Sequence, residues 1–255
     1  MRDTPRIVAV VAAAVAQIVG SPLGSALAGR SVGDVSGDTR SLVTPAGWAF
    51  SIWGLIFAGS LAWAVYQALP AQRDREVHRR TGWPLAAAFA GNAVWEVVYP
   101  QGGVWLYVAQ VLIFGITAAA AVAYIRLQTV PVDGPARLLP RAVTGLLLGW
   151  VTVAPVANVG STGVALGISP TTLASRAWAV AALVLVAGIA AAVVLGSYVA
   201  AGPFAAAVVW GLVAIAAAGG PRPVSVAAIS AAAIVVVALT ARALTRSDRS
   251  ALLVG

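Results

Sequence analysis

Apolar runs of about 17–25 residues recur along this chain, each closed by a short stretch rich in Gly, Pro, Ser or Arg. Eight are found, at about 6–28, 48–69, 82–99, 103–125, 138–160, 175–199, 203–219 and 223–244. A helix of about 20 apolar residues crosses the hydrocarbon core of a bilayer. The breaks between the runs carry turn and charge signals: GRSVGDVSGDTR, PAQRDREVHRR, YPQGG, RLQTVPVDGPAR, GSTGVALGISPTT, AAGP and GGPRP. The run at 203–219 is short and Ala-rich, a pattern that also suits a tilted or partly re-entrant helix. The pattern predicts an all-α polytopic membrane protein with about eight transmembrane helices.

Composition supports this reading. Of 255 residues, 60% are hydrophobic and 9% charged, with a mean hydropathy of +0.92; soluble domains carry about 25% charged residues. The net charge of +8 comes from sixteen arginines with no lysine. In a soluble protein that balance would suggest nucleic acid, but here the arginines gather between apolar runs, where they report topology. With the N-terminus cytoplasmic, the inner segments hold Arg2, Arg6, Arg73, Arg75, Arg79, Arg80, Arg126, Arg137, Arg141, Arg242, Arg246 and Arg249. The outer segments hold Arg30, Arg40, Arg176 and Arg222. Twelve against four places both termini inside the cytoplasmic membrane. High Ala, Val, Gly and Arg without Lys suggests a GC-rich bacterial genome.

The first run follows Arg2 and Arg6 and ends in SALAG, where Ala26-Leu27-Ala28 resembles a signal-peptidase site. Its length, with Gln17 and Pro22 inside it, favours a retained helix; cleavage would leave seven. Absence of cysteine excludes disulfides and thiol catalysis. One histidine, His78 in an arginine-rich loop read as a solvated turn, and eight scattered acids give no metal cage.

Polar and aromatic groups gather in the outer half of four predicted helices. The second run opens with TPAGWAFSIWGLIF, placing Trp48, Phe50, Trp53 and Phe57 there. In the third, Asn92, Trp95, Glu96 and Tyr99 fall at i, i+3, i+4 and i+7, one helical face. The fourth brings Trp105, Tyr107 and Gln110, and the fifth Trp150, Ala154 and Asn158. A buried amide or carboxyl facing lipid costs several kcal/mol, so Asn92, Glu96 and Asn158 are expected to face the bundle. Aromatic walls with a few polar groups are what small-molecule sites need. The plainer assignments are interfacial anchoring for Trp48 and Trp105 and helix–helix hydrogen bonds for the asparagines, Gln17 and Gln110.

These residues resemble the tryptophan-rich sensory protein family, also called the translocator protein or peripheral benzodiazepine receptor family. Its second helix opens with P-x-G-W-x-F, here Pro45, Gly47, Trp48 and Phe50, followed by Trp53 and Phe57. Asn92 with Trp95, and Trp150 with Ala154 and Asn158, match its third and fifth helices. The Trp48–Trp53 interval is one residue shorter than usual, and Leu146 stands where the family has a proline. The resemblance covers about residues 6–162. It implies a five-helix domain over 1–162, with 163–255 an additional three-helix membrane segment and short tail. It also implies a receptor or sensor binding tetrapyrrole-like or other flat hydrophobic ligands. The ligand-binding set would be Trp48, Phe50, Trp53, Phe57, Asn92, Trp95, Glu96, Trp150, Ala154 and Asn158. The loop at 29–46 would cover the pocket, and Arg40 would meet ligand propionates. No cofactor is required; porphyrin or haem would enter as ligand.

The alternative is a transporter or permease for a small hydrophobic or amphipathic substrate, although Glu96 is the one acid in the membrane interior and no repeat is evident. Catalysis has little support: the sequence holds no HExxH, and Glu96 has no evident partner. A purely structural role for the aromatics is the fourth reading. Expected partners are membrane lipid, a hydrophobic small molecule and a second copy of the chain, with no nucleic acid.

Overall fold

Each of the eight apolar runs forms a helix in the computed structural model, which describes residues 3–130, 138–246 and 248–253. Among these residues there are ten α-helices and no strand. They are α1 (Thr4–Ala28), α2 (Val32–Asp38), α3 (Ile52–Ala68), α4 (Glu76–Val98) and α5 (Trp105–Leu127), then α6 (Leu138–Ala165), α7 (Leu173–Gly196), α8 (Ala201–Ala217), α9 (Arg222–Leu244) and α10 (Arg249–Leu253). Single 3₁₀ turns, Gly47–Ser51 and Tyr99–Gln101, lead into α3 and out of α4. Arg2 and Arg137, counted above with the inner arginines, lie outside the described residues.

Six of the helices are long and apolar enough to cross a membrane, and the chain is a polytopic α-helical membrane protein. The other two predicted spans fall short for visible reasons. Helix α4 interrupts its apolar residues with Pro84, Asn92 and Glu96, and α8 has 17 residues.

Five helices close a ring: α1 packs on α4, α4 on α5, α5 on α6, α6 on α3, and α3 on α1. A second layer lies against α6, where α8 packs on it, α9 on α8 and α7 on α9. Small residues permit these approaches, as in membrane bundles generally. A Cβ at Gly24 would collide with the Glu96 carbonyl of α4, and one at Gly149 with the Phe204 carbonyl of α8. The α4–α5 turn uses Gly102 and Gly103 at φ +65° and +53°, a region costly for residues with a Cβ.

Two helix-interior prolines show how this core satisfies its backbone. Proline has no N–H, so it leaves the carbonyl four residues earlier without its helical donor. Pro155 frees the carbonyl of Val151, and the Thr117 hydroxyl of α5 donates to it at 2.8 Å. Pro84 frees the carbonyl of Arg80, and Arg126, also on α5, donates at 3.2 Å.

At the Arg-rich end, the structure corrects the reading of His78. Helix α4 begins at Glu76, six residues before the apolar run, and turns Val77, His78 and Thr81 inward while Arg79 and Arg80 stay outside. His78 is fully buried, and Trp63 Nε1 donates to its Nδ1 at 3.3 Å. Nearby Arg6 is buried too, donating to Gln67 and to the Arg73 carbonyl.

Candidate functional site

Inside the ring, at the end carrying residues 29–46, a small cavity of about 30 Å³ lies among aromatic side chains. Its walls follow from helix periodicity. On α6, Trp150, Ala154, Asn158 and Ser161 recur at three- and four-residue spacing and present one stripe; all four line the cavity. Helix α4 contributes Trp95 and the 3₁₀ turn after it Tyr99, one turn on, and their rings stack at 4.6 Å. The segment before α3 contributes Phe50 and α3 contributes Trp53. Trp150 stands edge-on to both, with centroids 6.1 Å from each.

Polar groups fix this arrangement. Trp95 Nε1 donates to Asn158 Oδ1 at 3.3 Å, Asn158 Nδ2 donates to the Ala154 carbonyl at 3.2 Å, and the Tyr99 hydroxyl donates to Ser161 Oγ at 3.2 Å. Trp53 and Trp150 are buried, yet their indole N–H groups have no acceptor among the described residues. Each ring thus keeps a hydrogen-bond donor that has no partner among the described residues.

The cover is more ordered than the Gly/Ser-rich break suggests. Residues Val32–Asp38 form α2, opened by a capping box in which Ser31 Oγ accepts from Asp34 N and the Asp34 carboxylate accepts from Ser31 N at 2.7 Å. The Ser31 backbone N–H, with its hydroxyl, holds the Asp34 carboxyl below its ordinary range. Val32, Ser36 and Pro45 close the cavity from this side. The segment is tied down by α8: Ala46 N donates to the Ala214 carbonyl at 3.0 Å, and Trp210 Nε1 donates to the Ala49 carbonyl at 2.9 Å.

Of the ten expected site residues, Phe50, Trp53, Trp95, Trp150, Ala154 and Asn158 meet at this cavity. Phe57 stands behind it, stacked on Trp53 at 5.3 Å. The other three are elsewhere. Trp48 is 46% exposed and packs edge-on against Trp210 at 4.8 Å. Asn92 and Glu96 are buried against α1, where Asn92 Nδ2 donates to Gln17 Oε1 at 3.5 Å and Glu96 packs on Gly20. The single-face assignment of α4 is thereby corrected. At about 100° per residue, positions 92, 95, 96 and 99 span an arc of about 100°, and two neighbours divide it. Arg40 does not line the aromatic cavity; its Nη2 donates to the Ala218 carbonyl at 2.6 Å.

Sequence reasoning missed Ser36, Ile113 and Ser161 as lining residues, Tyr99 as part of the set, and Trp210 as the anchor of the cover. Ser31-x-x-Asp34 is a capping-box signature that marks α2 from sequence alone. Trp210 gives no such signal, since its role depends on α8 lying against α6.

A protein-family model described as TSPO-like protein matches residues 6–241, a span running from α1 into α9. No curated protein and no solved structure matches the chain.

Proposed function

The chain belongs to the TSPO-like protein family, and from that premise we propose that it is a membrane receptor or sensor for flat, hydrophobic small molecules of the tetrapyrrole kind. The ligand would be taken up among Trp53, Trp95 and Trp150. The observation that carries this reading is convergence: three tryptophans from three helices, with Asn158, surround one cavity beneath the cover that holds α2. Two unpaired indole donors supply polar orientation, and the rings supply stacking surface.

The cavity's size sets how binding works. Small-molecule sites enclose about 300–1,000 Å³, and about 30 Å³ is closer to one water. A flat aromatic ligand therefore enters by lifting α2 and the segment to Ala49, and the tryptophan rings part around it. Residues 1–162 form the binding unit in this reading, and α8 of the C-terminal segment holds its cover. In this reading the cover lies on the outer side of the cytoplasmic membrane, an orientation supported by the arginine distribution.

Below the cavity the ring is filled. Ile56, Trp63, Leu85, Phe89 and Leu147 are fully buried between it and the Arg-rich end, which favours a receptor over a permease.

Titration with metal-free protoporphyrin, read by tryptophan fluorescence in detergent, tests the proposal. Saturable quenching is expected, and it disappears in Trp53→Ala combined with Trp150→Ala. Unsaturable quenching, or saturable quenching that survives both substitutions in folded protein, overturns it.

A further inference from the structure

A larger cavity lies outside the ring and touches the site above only at Ser41 and Leu42 of its cover. It measures about 520 Å³ and sits between α5, α6 and α7, at the covered end of the bundle. Val159, Gly163, Leu166, Ile168 and Trp178 give it apolar walls. Its size falls within the range of sites that enclose a small organic molecule.

Two observations show that the space is more than a lipid-facing crevice. The first is Gln110, which lines it from α5: both the Nε2 and the Oε1 of its carboxamide are buried and make no hydrogen bond. A buried amide with donor and acceptor both unmet is unfavourable, and a turn of the Gln110 carboxamide toward a polar group on a bound molecule relieves it. The second is charge. The cavity shares Ser41, Leu42 and Pro170 with an adjoining pocket of about 310 Å³, which is lined by Arg40 and Arg176. Neither arginine has an acidic partner among the described residues, whereas Arg30 at the same end pairs with Asp38. Arg176 also stands in the first turn of α7, where the helix dipole favours an anion.

We propose that this is a second binding site, for an amphipathic carboxylate: an aliphatic body in the cavity between α5, α6 and α7, a hydroxyl or carbonyl on that body at Gln110, and the carboxylate at Arg40 and Arg176. The aliphatic lining selects a chain over a flat ring system. The volume suits one chain and not a two-chain phospholipid. The site uses α7 and the α6–α7 loop and meets the cover at Arg40, Ser41 and Leu42, but it shares no lining residue with the ring cavity.

The test uses full-length protein in neutral phosphatidylcholine vesicles, with dibromostearate as a contact quencher of Trp178. Saturable quenching is expected, and Trp178→Phe removes that component. Arg176→Gln weakens binding about tenfold, the worth of one charge-assisted contact. Arg176 makes no side-chain hydrogen bond or ion pair among the described residues, so this substitution leaves the fold alone. Gly163→Phe fills the cavity without changing charge, since a Cβ there meets only Ile168 Cδ1 at 3.6 Å; it abolishes the saturable component. In competition, 12-hydroxystearate displaces the probe better than stearate, and Gln110→Leu erases that preference. The proposal is overturned if the methyl ester binds as well as the acid, if brominated phosphatidylglycerol at equal mole fraction quenches Trp178 equally, if neither Arg176→Gln nor Gly163→Phe changes the titration, or if wild type fails to distinguish the two competitors. Trp53→Ala with Trp150→Ala leaves this titration unchanged, so failure here and failure at the ring cavity are separable.

Discussion

The pairing of Thr117 with Pro155 makes a prediction whose sign depends on the partner. Thr117→Val keeps the shape of the side chain and removes its hydroxyl. The Ile113 carbonyl, also 2.8 Å from that hydroxyl, keeps the ordinary helical N–H of residue 117. The Val151 carbonyl keeps nothing, because Pro155 has no N–H to offer. An orphaned buried carbonyl costs about 1–3 kcal/mol, while interhelical hydrogen bonds in membranes average about 0.6 and reach about 1.7 kcal/mol. A loss of about 1 kcal/mol is therefore expected for Thr117→Val in the wild-type background. In Pro155→Ala the new N–H at 155 can satisfy the Val151 carbonyl, and the same substitution should cost close to nothing. Equilibrium unfolding in mixed micelles, run on the four-member cycle, reads the coupling directly. Equal cost in both backgrounds would refute the assignment of Thr117 as the replacement donor.

Three further outcomes are expected. Trp95→Phe leaves Asn158 Oδ1 without its donor and should destabilise by about 1 kcal/mol, less when Asn158 is also Leu; additive effects in unfolding would show that the bond contributes nothing. At the Arg-rich end, the hydrogen bond from Arg79 holds Asp3 at about 2, below its ordinary 3.8. Its carboxylate therefore stabilises the fold fully above about pH 4 and loses that effect as pH falls through about 2. The melting difference between wild type and Asp3→Asn should shrink over that window, from a small starting value because Arg79 is solvent-exposed; a constant difference counts against it. Trp210→Ala should tighten protoporphyrin binding by about 5- to 150-fold and speed amide exchange across residues 40–50; weaker binding would mean that the cover stays closed over the ligand.

Much of the ring cavity was legible because two rules act on single helices. Trp150, Ala154 and Asn158 follow four-residue spacing, and the count of apolar runs set them at the depth of Trp53 and Trp95. The same rule misassigned Asn92 and Glu96, since periodicity gives a face but not how many neighbours share it. Helix α4 sits between α1 and α5 and also meets α6; its polar stripe went to α1 and its aromatic stripe to the cavity. His78 was misread for a related reason. The charged stretch EVHRRTG reads as a loop by composition, yet its buried positions alternate with its arginines at helical spacing. Trp210 lay beyond reach altogether, because only the packing of α8 along α6 brings it to Ala49.

That packing gives the C-terminal helices a physical stake in the site. The last turn of any helix leaves carbonyls without intrahelical donors. At the end of α8, Ala214 accepts from Ala46 N and Ala218 accepts from Arg40, while Trp210 holds the Ala49 carbonyl from the side. These three hydrogen bonds and the Trp48–Trp210 contact keep the cover down. At about 0.5–1.5 kcal/mol each, they bias it toward closure by about 2–6 kcal/mol. A ligand too large for the closed cavity binds only the open form, so its apparent affinity is reduced by the open fraction. Removing Trp210 eliminates one hydrogen bond and the aromatic pair, about 1–3 kcal/mol of that bias, without touching the residues that line the cavity. Affinity then rises where loss of an aromatic residue would ordinarily lower it, and the direction of the change identifies the cover as the element that sets it.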